Sequence, residues 1–391
     1  MCCARTELAG GRNGVGMKKR IWVIAGLIAL TGIALAGERL PPFGARSEGE
    51  RLQRIDASPL FEDRKAQNLI PTSLGLNRQF FPVMRRYFRG GQEPEVGLPF
   101  AKPDFNAPST DELKMTWLGH SSVLLQLDGV NVLLDPMLSQ RASPFQFMGP
   151  ARFQPVPVHV DDLPPIDAVV ISHDHYDHLD MHTVVSLVER KVRFIVPLGV
   201  GAHLEAWGVD PAYITELEWW DETLVGDVRV VCTPARHFSG RGLTDRNRTL
   251  WASWAVMGPN HRVWFSGDTG PFPQASEIGS RLGPFDLSMI EIGAYDPAWG
   301  SVHLGPDEAL TMHEQVEGRL MFPVHWGTFN LAPHRWDQPV VRLLEVGDAR
   351  QIPLLVPVLG QTMRVSEPYV APFWRERADV WQRLSRNTLD E

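Results

Sequence analysis

Between His173 and His178 the chain reads His-Asp-His-Tyr-Asp-His, directly after the apolar run Ala168–Ser172. A continuous apolar run of that length reads as a strand buried on both faces. The box therefore lies where a buried strand ends, and it offers four potential metal ligands within six residues. His173 and His175 are two apart, so an extended backbone projects both to the same side. Asp177 and His178 follow where the chain should turn into a helix, which aims them at a neighbouring point. One short loop can thus serve two adjacent metal positions. Four ligands do not complete two coordination spheres, so further donors must come from elsewhere.

Three candidates stand at the ends of other expected strands. His237 follows Val228–Thr233, Asp268 closes Val263-Trp264-Phe265-Ser266-Gly267-Asp268, and His325 closes Leu320-Met321-Phe322-Pro323-Val324-His325. Further short β-rich runs are Met115–Leu118, Ser122–Leu127 and Asn131–Leu134, the last two joined through the turn pair Asp128-Gly129. Arg193–Pro197, Trp251–Met257, Arg262–Ser266 and Leu287–Ile292 read as strands too, with helices over Met181–Arg190 and Pro306–Val316. Strands first, then strands alternating with helices, fit an α/β chain built as a two-sheet sandwich with helices outside.

Composition narrows the chemistry. Of the three cysteines, Cys2 and Cys3 lie at the extreme N-terminus and only Cys232 is in the body, so histidine and carboxylate must carry any metal. Lys and Arg number 38 against 46 Asp and Glu, a formal net charge of −8, which gives no global pull toward nucleic acid. Any anionic substrate needs a local positive site. At the N-terminus, Lys18-Lys19-Arg20 precedes an uncharged apolar run, Ile21 to Ala36, that ends Ala34-Leu35-Ala36. That pattern reads as a secretion signal or a retained membrane anchor over residues 1–36, with Met17 as a candidate natural start. Both readings place the body outside the cytoplasm, exported or membrane-anchored. Residues 37–110 read as an arm laid over the core, 111–365 as the catalytic domain and 366–391 as a tail. Within the arm, Arg78–Arg89 mixes four arginines with Phe80, Phe81, Tyr87 and Phe88. It reads either as a membrane-surface patch or as aromatics stapling the arm down.

The run Thr116-Trp117-Leu118-Gly119-His120, the histidine box, His237, Ser266-Gly267-Asp268-Thr269-Gly270 and His325, in that order, resemble the metallo-β-lactamase superfamily. More narrowly the chain resembles the N-acyl-phosphatidylethanolamine-hydrolysing phospholipase D branch and its bacterial relatives. Asp135-Pro136, Arg141-Ala142-Ser143-Pro144, Ile292-Gly293-Ala294-Tyr295 and His325-Trp326-Gly327-Thr328-Phe329 carry that closer likeness. The resemblance implies a four-layer αββα sandwich, two mixed β-sheets flanked by helices. It implies a first metal held by His173, His175 and His237, a second by Asp177, His178 and His325, and Asp268 between them. Two zinc ions are implied, with iron or manganese also compatible with nitrogen and oxygen donors. It further implies His303 as general acid, phosphate-orienting group or support behind the ligands, Tyr176 as a substrate contact or a residue packed under the loop, Arg241 as a phosphate contact of the substrate, and His120 and Asp135 as braces behind the ligands. Asp177 and Asp268 thereby count among the catalytic groups. The family branch implies a phospholipid substrate at a membrane surface and a homodimer. Gly305 stands where the family more often has an acidic residue, a departure close to His303.

Fold alone does not give substrate. An esterase or lactonase with the same metals is the alternative to a phosphodiesterase. A nuclease is disfavoured by the charge, and a non-catalytic scaffold by the full set of ligands.

Overall fold

Alternation within single strands sets the layers. In the computed structural model, which describes residues 40–73, 83, 85–86, 90–105 and 112–387, neighbouring residues of one strand enter different cores. Val123 and Leu125 belong to one apolar cluster, and Leu124 between them to another. Trp117, Val132, Leu134 and Val170 join the first; Leu118, Leu133, Val169 and Ile171 join the second. Successive side chains of a strand point to opposite faces, so a strand apolar on both faces must be covered on both.

A short hairpin, β1 (Phe61–Glu62) and β2 (Lys65–Ala66), lies in the arm, after helix α1 (Gly49–Ala57). The first large sheet holds β3 (Lys114–Gly119), β4 (Ser122–Leu127), β5 (Val130–Leu134), β6 (Ala168–Val170), β7 (Arg193–Pro197) and β8 (Ile214–Leu217) in that order. The late strand Thr362–Arg364 pairs antiparallel with β3 at its edge. The β3–β5 strands run antiparallel to one another, and β5 to β8 run parallel. The second sheet holds β9 (Glu222–Val225), β10 (Val228–Thr233), β11 (Ser253–Met257), β12 (Arg262–Phe265), β13 (Phe285–Glu291) and β14 (Gly318–Val324). It too is mixed: β9 to β12 are antiparallel, and β12 to β14 parallel.

The two sheets share the larger core. Trp254, Val256, Trp264 and Phe265 of the second sheet lie in the same cluster as the inner residues of the first. Helices α2 (Met181–Leu187) and α3 (Gly201–Ala206) cover the outer face of the first sheet through Val184, Leu187 and Leu204. Helices α4 (Ala275–Leu282), α5 (Pro306–Gln315) and α6 (Gln338–Arg350) bring Ile278, Leu310 and Leu343 to the second. The result is helix, sheet, sheet, helix. Local chemistry starts these helices where the chain needs them: Asp180 caps α2 by accepting from the amides of His182 and Thr183. Pro306, Asp307 and Glu308 open α5, where negative charge suits the helix dipole. The expected helix Met181–Arg190 ends as α-helix at Leu187 and continues as one 3-10 turn, Val188–Arg190.

The arm is tied down by charge. Arg51 on α1 meets Glu205 at 2.6 Å and Glu216 at 2.7 Å. The candidate signal, residues 1–36, and most of the Arg78–Arg89 patch lie outside the described residues. No helix among the described residues is long and apolar enough to cross a membrane. The segment 366–391, read as a tail, instead carries strand Tyr369–Val370 and helix α7 (Pro372–Asn387). Trp374 anchors α7, 2% exposed, with its indole N–H donating to the Pro357 carbonyl at 2.9 Å. Truncating a buried aromatic removes apolar contact and leaves a cavity, so Trp374→Ala should cost about 3–5 kcal/mol of unfolding free energy. Denaturant titration checks this; a loss under about 1 kcal/mol, the range of surface changes, would place α7 outside the cooperative unit.

Candidate metal centre

The donors gather at one edge of the sandwich because each follows the C-terminal end of a strand. His120 follows β3, Asp135 follows β5, the box follows β6, His237 follows β10, Asp268 follows β12 and His325 follows β14. The backbone is forced into left-handed geometry at three of them: His120 (φ +54°), Asp135 (φ +37°) and His325 (φ +64°). Non-glycine residues held there cost of order 1–3 kcal/mol each, a strain that clusters at functional sites. Gly267, just before Asp268, has φ +53°, and a Cβ there would lie 2.5 Å from that of Ser172. A side chain at that position would push the box away from Asp268.

Two of the three groups of candidate ligand atoms among the described residues, each within 4.8 Å, are His173, His175, His237 and Asp268; and His120, Asp177, His178 and His325. Asp268 touches both. Its Oδ1 is 3.1 Å from His178 Nε2, and its Oδ2 is 3.1 Å from His325 Nε2 and 3.7 Å from both His173 Nε2 and His237 Nε2. His120, read as a brace, sits in the second group with Nε2 2.9 Å from Asp177 Oδ2.

The far ring nitrogens show what the near ones are for. His237 Nδ1 donates to the Val302 carbonyl at 2.9 Å and His178 Nδ1 to Asp135 at 2.7 Å. His173 Nδ1 meets Ser172 Oγ at 2.9 Å, and Asp135 holds Ser172 through its amide and hydroxyl at 2.6 and 2.5 Å. Outer partners of this kind fix the tautomer and turn the second nitrogen inward as an electron-pair donor. Inward, His173 Nε2 and His175 Nδ1 lie 2.8 Å apart, and His175 Nδ1 and His237 Nε2 3.2 Å apart. The buried His178 Nε2 and Asp268 Oδ1 face each other at 3.1 Å without hydrogen-bond geometry, and neither has another hydrogen-bond partner among the described residues. Inward-turned nitrogens packed this closely around a carboxylate fit divalent cations such as zinc.

The electrostatics divide the cluster. Despite burial, Asp268, Asp177 and Asp135 hold His178 well above the ordinary imidazole range, and His325 is raised as well, so a metal there would have to displace those protons. Burial pushes the Asp268 carboxyl up, but the charges of His178 and His325 outweigh it and hold it well below the usual range. Burial likewise works against the charged form of His325, yet Asp268 and Asp177 bring it up to about 10. Burial keeps His173 and His237 well below their ordinary values, as the neutral imidazoles that metals take.

A cavity of about 520 Å³ opens over the cluster, with His175, Asp177, Asp268, His303 and His325 in its wall. His303 Nδ1 donates to Glu291 at 2.8 Å. Arg241 and Tyr176, read as substrate contacts, do not line it. Arg241 is 4% exposed, and its guanidinium donates to the carbonyls of Pro42, Asp174 and Leu179 at 2.6–3.0 Å. It is stacked 4.1 Å from the Tyr176 ring, whose hydroxyl donates to the Arg241 carbonyl at 2.7 Å. Arginine's forked donors knot the box to the arm. The arm reinforces this at His203, which accepts from the Ala45 amide at 3.0 Å while its Nε2 is 3.5 Å from Asp174.

Glu291 and Arg246 were not singled out by the sequence reading. Glu291 is the last residue of β13, and only its place at a strand end could have marked it. Arg246, exposed in the cavity wall and 5.7 Å from the Phe238 ring, looks in sequence like any loop arginine. Lysine cannot fork to three carbonyls, so Arg241→Lys should cost about 2 kcal/mol or more in stability and leave KM unchanged. Unchanged thermal stability with a raised KM would mean that the side chain turns to the substrate.

A family model described as a beta-lactamase superfamily domain matches residues 130–326. The uncharacterized protein Rv0906 of Mycobacterium tuberculosis is 46% identical over 331 residues, 82% of this chain and 88% of that one. N-acyl-phosphatidylethanolamine-hydrolyzing phospholipase D 1 of Caenorhabditis elegans is 40% identical over 261 residues, 63% of this chain and 73% of its own. Among solved structures, isothiocyanate hydrolase from Delia radicum gut bacteria matches with a TM-score of 0.52 at 20% identity, covering 66% of this chain and all of that one (100%). That last likeness is one of fold. With its ligand clusters and these relatives, the chain belongs to the metallo-β-lactamase superfamily and is a metal-dependent hydrolase of that fold.

Proposed function

We propose that the chain is a phosphodiesterase of phospholipase D type, holding two zinc-class ions and cleaving N-acyl-phosphatidylethanolamine or a similar phospholipid at a membrane surface outside the cytoplasm. The cavity over the ligand cluster carries this reading. Its wall is mostly apolar, with Phe238, Leu243, Trp299, Val302 and Leu331, and Arg246 is the one arginine or lysine among its described lining residues. Apolar walls suit the lipid part of the substrate and a single guanidinium suits its phosphate. Leu243, 75% exposed, stands where a bilayer would meet the opening. The worm relative's phospholipase D name supports the same reaction class.

His173, His175, His237 and Asp268 would hold one ion, and Asp177, His178 and His325, with Asp268 shared, the other. Divalent ions there supply Lewis acidity and lower the pKa of a bound water. Hydrolysis puts the water oxygen on phosphorus and breaks the bond from phosphorus to the N-acylethanolamine oxygen, which must take up a proton. His303 is placed to deliver it: Nδ1 is engaged by Glu291, and the ring lines the cavity. Arg246 holds the phosphate toward the cluster, and the apolar wall keeps water from competing sites.

Zinc-loaded protein given N-acyl-phosphatidylethanolamine vesicles should release N-acylethanolamine and phosphatidic acid. Arg246→Ala should raise KM about tenfold, the equivalent of one exposed charge-assisted contact at about 1.4 kcal/mol. A folded, metal-loaded protein that ignores the lipid but turns over carboxyl esters or lactones would overturn the phospholipase reading and keep the hydrolase.

A further inference from the structure

We propose that Glu291 is a positioning residue: it fixes the His303 ring and the Asp268 backbone together, so that His303 Nε2 is the atom that exchanges a proton in the cavity. Glu291 ends β13 between Ile290 and Ile292, and all three are fully buried. An apolar residue would fill that place without cost. A buried carboxylate carries a penalty of several kcal/mol unless partners repay it, and no lysine or arginine among the described residues forms an ion pair with this one. Its Oε2 accepts from His303 Nδ1 at 2.8 Å, and its Oε1 accepts from the backbone N–H of Thr269.

Two consequences follow from those two bonds. With Nδ1 committed as donor, the His303 proton exchange falls to Nε2, on the opposite side of the ring. The ring, whose side chain is 14% exposed, lines the cavity beside Asp268 and His325 and lies 5.1 and 5.3 Å from the rings of His237 and His325. Thr269 directly follows Asp268, so the carboxylate that orients His303 also sets the height of the shared ligand. The oxygens of Glu291 fall near those of Asp268, with His303 and His325, in a third ligand-like group. Both are already taken by N–H donors, which argues for orientation over metal ligation.

Glu291→Gln tests this, because an amide can accept with one end only and must turn an N–H toward either Thr269 or His303. The inference needs the hydrolase and not the lipid, so one arm uses no substrate. In zinc-loaded, 15N-labelled protein, an imidazole N–H resonance that disappears in His303→Ala should be lost or strongly shifted in Glu291→Gln. With N-acyl-phosphatidylethanolamine vesicles, or the ester the protein does turn over, kcat should fall about 10- to 100-fold, as for other outer partners of a metal site. KM and bound zinc should stay within twofold. In the His303→Ala background the same change should add little, as expected of two residues acting as one unit. Zinc lost in step with activity would make Glu291 a ligand. An unmoved N–H resonance, or fully additive effects, would make it structural only.

Discussion

Asp268 stands with both carboxylate oxygens among imidazoles, 3.1 Å from His178 and His325 and 3.7 Å from His173 and His237. Four strand ends from both sheets converge on it, so its position depends on how the sheets pack. Trp254, Trp264 and Phe265, all fully buried, hold that packing immediately beneath. Fully burying a side chain of this size contributes about 1.5–3 kcal/mol or more, and the strained turns at His120, Asp135 and His325 draw on that stability.

Rigidity is also supplied from outside the sandwich. Hydrogen bonds link the arm toward the metal box through Pro42 to Arg241 and through Ala45 to His203, and the Phe43 ring meets Tyr176 edge-on at 6.5 Å. Arg241 and His203 are both buried, and neither lines the cavity. Asp174 joins them: it accepts from the Gly240 amide and the Thr249 hydroxyl at 2.8 and 2.9 Å, and although burial pushes its carboxyl up, His203 beside it holds it below the usual carboxylate range. The box is thus clamped by its own non-ligating members, leaving the ligating ones to face the cluster.

Legibility in the sequence tracks contact range. The box was readable because its spacing is local: an apolar strand followed by His-x-His-x-Asp-His dictates side and direction without knowledge of the rest. His237, Asp268 and His325 are each unremarkable alone and were legible only as an ordered set that resembles a known superfamily. The two-sheet architecture followed from short apolar strands. What escaped depends on distant partners. Arg241 turns inward because a carbonyl 199 positions earlier is there to receive it. Glu291 looks like an ordinary strand-end acid until β13 is placed beside β14 and His303 returns over it. The helix Pro372–Asn387 escaped because the segment is highly charged, and among its described side chains only Trp374 and Ala378 are buried.

The central claim is that this edge of the sandwich is a two-ion site organised by Asp268, and calorimetric titration of zinc into chelator-stripped protein tests it most directly. Two equivalents per chain should bind, falling to one or fewer in a folded Asp268→Ala protein. Weak or absent binding by the folded parent, or two equivalents retained without Asp268, would contradict it.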